Sequence, residues 1–240
     1  MPQLRAILFD LDDTLFATTT FAREARRAAV EAMVGAGLDL PVEDVQRELD
    51  EVIGEFSSNY EHHFDQLLRR LRPRSFPNVN PALIVAAGVV AYHDTKYERL
   101  ELFEDVLPLL EDLQRAECMT GVITHGWTTK QSEKLVRLGL IPHLTANAIF
   151  ISDQIGISKP NPKLYAAALD ELGLEPQQAM YVGDSPLNDI APPKFLGMKT
   201  VYARRAARRP LEGTGVEPDH IVDDFEELRR ILRDTYELTL

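Results

Sequence analysis

The stretch Arg5-Ala6-Ile7-Leu8-Phe9-Asp10-Leu11-Asp12-Asp13-Thr14-Leu15-Phe16 decides how the chain folds. Ala6 to Phe9 is an unbroken apolar run, the pattern of a strand buried on both faces of a parallel sheet. Carboxylates begin where that strand should stop. In open α/β sheets the carboxyl ends of the strands are where ligands bind. Asp10 and Asp12 can serve one small site if the chain curls just after the strand. Two like charges ~5 Å apart, at an effective dielectric of ~20, repel by roughly 3 kcal/mol. A strand end that keeps both acids therefore holds a cation or shares a proton between them. An ordinary solvated acidic turn is the plainer alternative.

Outward from this strand the pattern changes twice. After Phe16 the periodicity is helical. It predicts helices over 21–34, stopped by Gly35 and Gly37, over Pro41–Phe56, over about 61–71 and over Ala82 to about His93. The proline-rich stretch 72–81 is a loop. Nothing in 17–95 reads as a strand. From Phe103 onward strands and helices alternate, with strands expected at 119–123, 148–150, 179–182, 199–202 and 220–222. Such alternation means right-handed crossovers and a parallel sheet covered on both faces. The expected architecture is α/β, a Rossmann-like core of residues 1–16 and 96–240 with an inserted all-helical segment, 17–95.

Composition narrows the function. The 240 residues carry a net charge of −12, which argues against general binding to nucleic acid or anionic membranes. The basic run Arg204-Arg205-Ala206-Ala207-Arg208-Arg209 is the local exception and reads as a solvated loop after a strand. No leader pattern precedes Asp10, and no apolar run approaches the ~20 residues of a membrane span, so a cytoplasmic location is expected. The single cysteine, Cys118, excludes an internal disulfide and reads as a packed thiol. Oligomeric state is not legible.

Three further polar clusters follow strands. In Ile123-Thr124-His125-Gly126-Trp127, the Thr124 hydroxyl and the backbone N–H groups after it could hold an oxyanion. The His125 ring is a possible acid or base, although its backbone N–H is as strong a candidate. In Ile157-Ser158-Lys159-Pro160-Asn161-Pro162, each proline keeps the residue before it extended, which sets Lys159 on a stiff backbone ahead of a helix. Its ammonium could balance the acids and an incoming phosphate. In Tyr181-Val182-Gly183-Asp184-Ser185-Pro186-Leu187-Asn188-Asp189, Asp184 and Asp189 supply hard oxygen ligands suited to Mg²⁺.

These clusters, in this order, resemble the haloacid-dehalogenase-like hydrolases: 9–15 their first motif, Thr124 the second, Lys159 the third, and Gly183-Asp184 with Asp189 the fourth. The resemblance spans the chain, because 17–95 looks like the cap that one subclass inserts between the first two motifs. It implies a phosphatase acting on a small phosphate ester. Asp10 would be the nucleophile that forms an aspartyl phosphate, and Asp12 the acid and base, a role expected to need a raised pKa. Thr124, the His125 N–H and Lys159 would hold the phosphoryl group. Mg²⁺ would sit on Asp10, Asp184 and the Asp12 carbonyl, with Asp189 in support.

An acid at position 12 favours loss of an alkoxide over loss of halide, so a 2-haloacid dehalogenase is the second reading. A non-catalytic phosphate- or partner-binding module is the third. Asn59-Tyr60-Glu61-His62-His63 and Tyr92-His93-Asp94-Thr95-Lys96 are candidate leaving-group contacts. The helical segment resembles archaeal family members described as glyceraldehyde 3-phosphate phosphatases and, more distantly, sugar-phosphate phosphatases. Two departures stand out: His125 where Asn or Asp is commoner, and Ala191-Pro192-Pro193 where a small Gly-Ala pair is usual, which leaves the placement of Asp189 open.

Overall fold

In the computed structural model, which describes residues 3–57, 60–71 and 75–240, the run Ala6–Phe9 forms strand β1, buried along its whole length. It pairs in parallel with β2 (Met119–Thr124) on one side and β4 (Ala179–Gly183) on the other. The sheet continues through β3 (Ile149–Ile151), β5 (Lys199–Ala203) and β6 (His220–Val222) in the order β3-β2-β1-β4-β5-β6. All five pairings are parallel. The chain leaves β1 in one direction and β4 in the other, so the sheet reverses its winding between these two strands, where a ligand crevice is expected.

Alternate side chains of β1 enter different layers. Ala6 and Leu8 join a core with Leu164, Tyr165, Ala168 and Leu169 of helix α8 (Pro162–Leu172). Phe9 meets Phe225 edge to face, with ring centroids 5.9 Å apart, at the start of helix α10 (Phe225–Tyr236). Helix α5 (Val106–Arg115) packs on α10 and β2. Half of the basic run is used internally. Arg204 donates two hydrogen bonds to Asp223, and Arg205 binds Asp105 while lying 4.5 Å over the Phe103 ring.

The chain divides into two compact units, residues through Thr18 with Leu100–Leu240, and Thr19–Arg99. The second unit is helical among its described residues: most of α1 (Thr18–Gly35), then α2 (Val42–Phe56), α3 (His63–Arg70) and α4 (Pro81–Glu98). Val45, Leu49 and Val52 are the buried residues of α2, and Val45 and Leu49 meet Val30, Met33, Leu67 and Ile84 around one core. Gly88 lets α4 close on Met33, whose Cγ would sit 2.8 Å from any added Cβ. α4 runs five residues past the His93 expected from sequence, because Asp94 to Glu98 includes no helix breaker. Residues 72–74 of the loop expected at 72–81, and Asn59, lie outside the described residues.

Two other elements differ from expectation. β3 lies one residue later than predicted. The single helix expected within 187–196 is a wide π-type turn, Pro186–Ile190, that leads into the short helix α9 (Ala191–Leu196). Pro192 and Pro193 thereby fall in a first helical turn, where a missing N–H leaves no bond unmade.

Candidate active site

Register brings the site together. Phe9 lies opposite Val122 and Val182, so the next residue, Asp10, stands level with the ends of β2 and β4. Its N–H donates to the Val182 carbonyl at 2.8 Å. Thr124 ends β2, and Asp184 follows Gly183 at the end of β4. The π-type turn then swings Asp189 back across Gly183. A Cβ at 183 would collide with the Asp189 side chain, so a glycine is required there.

Lys159 arrives from the segment before α8. Its ammonium is buried and donates to Asp10 Oδ1 at 2.6 Å, Asp189 Oδ1 at 2.7 Å and the Tyr181 hydroxyl at 2.7 Å. Three donors meet three acceptors. Tyr181 in turn donates to the Ile123 carbonyl at 2.7 Å. Asp189 Oδ2 accepts from the Ser185 N–H at 2.9 Å, which locks the turn. Burial and the Asp189 charge push Asp10 up to about 7 despite Lys159. Burial, then the like charges of Asp10, Asp189 and Asp13, push Asp184 up to about 8.

One oxygen from each of Asp10, Asp184 and Asp189 lies within 4.8 Å of the other two. Three buried carboxylates face Lys159, and burial together with the surplus negative charge favours the protonated forms of Asp10 and Asp184. An all-oxygen set of this kind fits a hard divalent cation.

The Asp12 carboxylate belongs to a different set of partners from that cluster, although its charge still acts on Asp10. The Asp12 carboxylate accepts from Lys134 Nζ at 2.7 Å on each oxygen, from Thr18 Oγ1 at 2.5 Å and from Gln131 Nε2 at 2.9 Å. Burial acts to raise its pKa, but the Lys134 charge and these hydrogen bonds outweigh it and hold Asp12 below the usual carboxylate range. This corrects the expectation of a raised pKa. The crowding by acids that would raise it falls on Asp10 and Asp184, because Asp12 faces a lysine of its own.

Thr124 is buried and accepts from Gln131 Nε2 at 2.5 Å. The His125 ring is tethered at Nδ1 by Ser158 Oγ at 2.8 Å and by Ser152 Oγ, at the start of the short helix α7 (Ser152–Ile155), at 3.3 Å. Trp127 is exposed, with Lys130 Nζ 4.2 Å from its ring centroid. In the helical unit, Tyr60 stacks on Phe56, touches the rings of His62 and His63, and accepts from Gln66 at 2.8 Å; Tyr92 meets Phe64 and His93.

The sequence matches the family described as haloacid dehalogenase-like hydrolase over residues 7–203. The chain is a haloacid dehalogenase-like hydrolase. The hydrolase is 43% identical to a Methanopyrus kandleri protein named glyceraldehyde 3-phosphate phosphatase, over 96% of this chain and 98% of that one. A Pyrococcus furiosus protein of the same name is 37% identical over 97% and 94%. A solved phosphatase of the family from Thermococcus onnurineus superposes with a TM-score of 0.65 at 24% identity, covering 95% of this chain and 98% of its own. A Thermotoga maritima structure described as a putative beta-phosphoglucomutase reaches 0.72 at 19% identity over 97% and 100%, a likeness of fold alone.

Sequence reasoning missed Lys134, Gln131, Thr18 and Tyr181. A faint signal existed for two of them. Gln131 and Lys134 are three apart on helix α6 (Thr128–Arg137), so they share the face that starts beside Thr124. Their target, Asp12, lies more than a hundred residues away in sequence.

Proposed function

We propose that this phosphatase releases inorganic phosphate from a small phosphorylated metabolite, glyceraldehyde 3-phosphate or a related sugar phosphate, with Asp10 as nucleophile and Mg²⁺ as cofactor. The observation that carries the reading is the separation of two carboxylates two residues apart. Asp10 stands with Lys159, Asp184 and Asp189, while Asp12 is gripped by Lys134, Gln131 and Thr18. Transfer of a phosphoryl group from an alcohol asks for such a division, one carboxylate to attack and another to manage the proton. The names of relatives that align over nearly the whole chain support the substrate class.

In the first half, a carboxylate oxygen of Asp10 bonds to phosphorus as the ester oxygen departs, and Asp12 gives that oxygen a proton. In the second half, Asp12 takes a proton from water, the water oxygen bonds to phosphorus, and the Asp10–phosphorus bond breaks. The lowered pKa of Asp12 favours its ionised form at rest, so Asp12 takes a proton from solvent as substrate docks, and the proton it gains from water in the second half returns to solvent. The Thr124 hydroxyl, the His125 N–H and the Lys159 ammonium would hold the phosphoryl oxygens as charge spreads over them. Asp10 and Asp184, with the Asp12 carbonyl and with Asp189 in support, would hold Mg²⁺, which supplies positive charge against both the acidic cluster and the phosphoryl oxygens.

The helical unit 19–99 is proposed to act as the cap that selects the leaving group, through Tyr60, His62, His63, Tyr92, His93 and Lys96. The test is phosphate release from a panel of phosphorylated metabolites, with Mg²⁺ and again with EDTA. Triose and sugar phosphates are expected to lead, EDTA to abolish release, and 2-chloropropionate to remain intact. Release from no ester, or chloride from the haloacid, overturns the reading.

A further inference from the structure

The two lysines of the site divide its acids between them. Lys159 takes Asp10 and Asp189, and Lys134 takes Asp12 alone. Lys134 stands on α6 with its side chain 13% exposed, and its ammonium reaches both Asp12 oxygens at 2.7 Å, with the Phe16 ring 6.0 Å away. One turn earlier Gln131, 2% exposed, donates to Asp12 Oδ2 at 2.9 Å, Thr124 Oγ1 at 2.5 Å and the His125 carbonyl at 3.0 Å. The Asp12 carboxylate and the His125 carbonyl can only accept, so it is the amide NH₂ that faces them. The loop leaves room for this by placing Gly126, at φ +140°, where a Cβ would press within 3.2 Å of Gln131.

Stability does not explain a buried lysine here, because a well-packed apolar pair in its place is typically as stabilising or more so. Position does. Asp12 is two residues from Asp10, beside a cluster that draws in cations, and without an anchor its carboxyl is free to turn into that cluster as a fourth acid. We infer that Lys134 and Gln131 are positioning residues that keep the Asp12 carboxyl out of the acidic cluster and reserve it for the leaving oxygen. The inference rests on the phosphatase reading above and adds to it the residues that aim the acid.

The test uses the full chain loaded with Mg²⁺ and compares kcat/KM for two esters. One is p-nitrophenyl phosphate, whose phenolate departs without a proton; the other is the best alkyl phosphate of the panel, whose alkoxide needs one. For Lys134→Met the alkyl ester is expected to lose about 10²-fold or more and the aryl ester less than about 10-fold. Lys134→Arg, which can still grip both oxygens, should recover most of the alkyl rate. Gln131→Met should shift the ratio in the same direction and serves if Lys134→Met does not fold, as judged by thermal unfolding. Equal losses on both esters, or an unchanged alkyl rate in the variants that fold, overturn the inference while leaving the phosphatase reading intact. An unaltered chain that hydrolyses neither ester overturns both.

Discussion

Replacing Asp184 by Asn removes one of three buried carboxylates while keeping its shape, and the metal-free protein should become more stable for it. In the folded chain Asp184 holds its proton up to about pH 8, against 3.8 for an ordinary aspartate, through burial and the charges of Asp10, Asp189 and Asp13. Between those two values the native state binds the proton and the unfolded state has released it. The parent therefore loses stability as pH rises through this interval, and none of the loss remains below about pH 4. At about 1.4 kcal/mol per pH unit, the full penalty above pH 8 is roughly 6 kcal/mol. Part of it is mutual repulsion with Asp10, itself pushed up to about 7, and relief at one partner relieves the other.

A gap approaching roughly 6 kcal/mol in favour of Asp184→Asn at pH 8 is expected, shrinking toward zero near pH 4. Urea denaturation of both proteins in EDTA at pH 5, 6, 7 and 8 measures it. Referring each value to the variant cancels the titration of every group outside the site. Added Mg²⁺ should then reverse the order, because only the parent keeps the full ligand set and gains RT ln(1 + [Mg²⁺]/Kd). A variant no more stable than its parent at pH 8, or a gap that does not change with pH, would refute the account of the cluster as surplus negative charge waiting for a cation.

Asp10→Asn should abolish turnover and Asp12→Asn lower it ~10²–10⁴-fold; near-normal rates for either remove the assigned role. Gly183→Ala must push a methyl group into Asp189, so a loss of at least about 1–3 kcal/mol in denaturant titrations is expected, and an unchanged midpoint contradicts the close approach of the π-type turn to β4. Burial pushes the Cys118 thiol up to about 12, so a disulfide reagent at pH 8 should leave it unmodified in the native chain and titrate one thiol in urea. Rapid native labelling would show that β2 opens at its start.

The first strand and its acids could be read from twelve residues, because a continuous apolar run and a following carboxylate pair have few other uses. The six-stranded parallel sheet and the helical character of the insert were legible for a similar reason. Periodicity is local, and each strand or helix advertises its own buried face. Lys159 and Asp184 were legible as candidates because prolines and a glycine mark the backbone beside them.

What needed tertiary structure was the partition of charge. No spacing rule says that Asp12 turns to Lys134 and Asp10 to Lys159, since those partners are 122 and 149 residues away along the chain. Crowding in sequence suggested that Asp12 would hold its proton, and the fold gave that tendency to Asp10 and Asp184 instead. A pKa depends on charges within a few ångströms in space and on the water that burial removes. Neighbours along a chain fix neither.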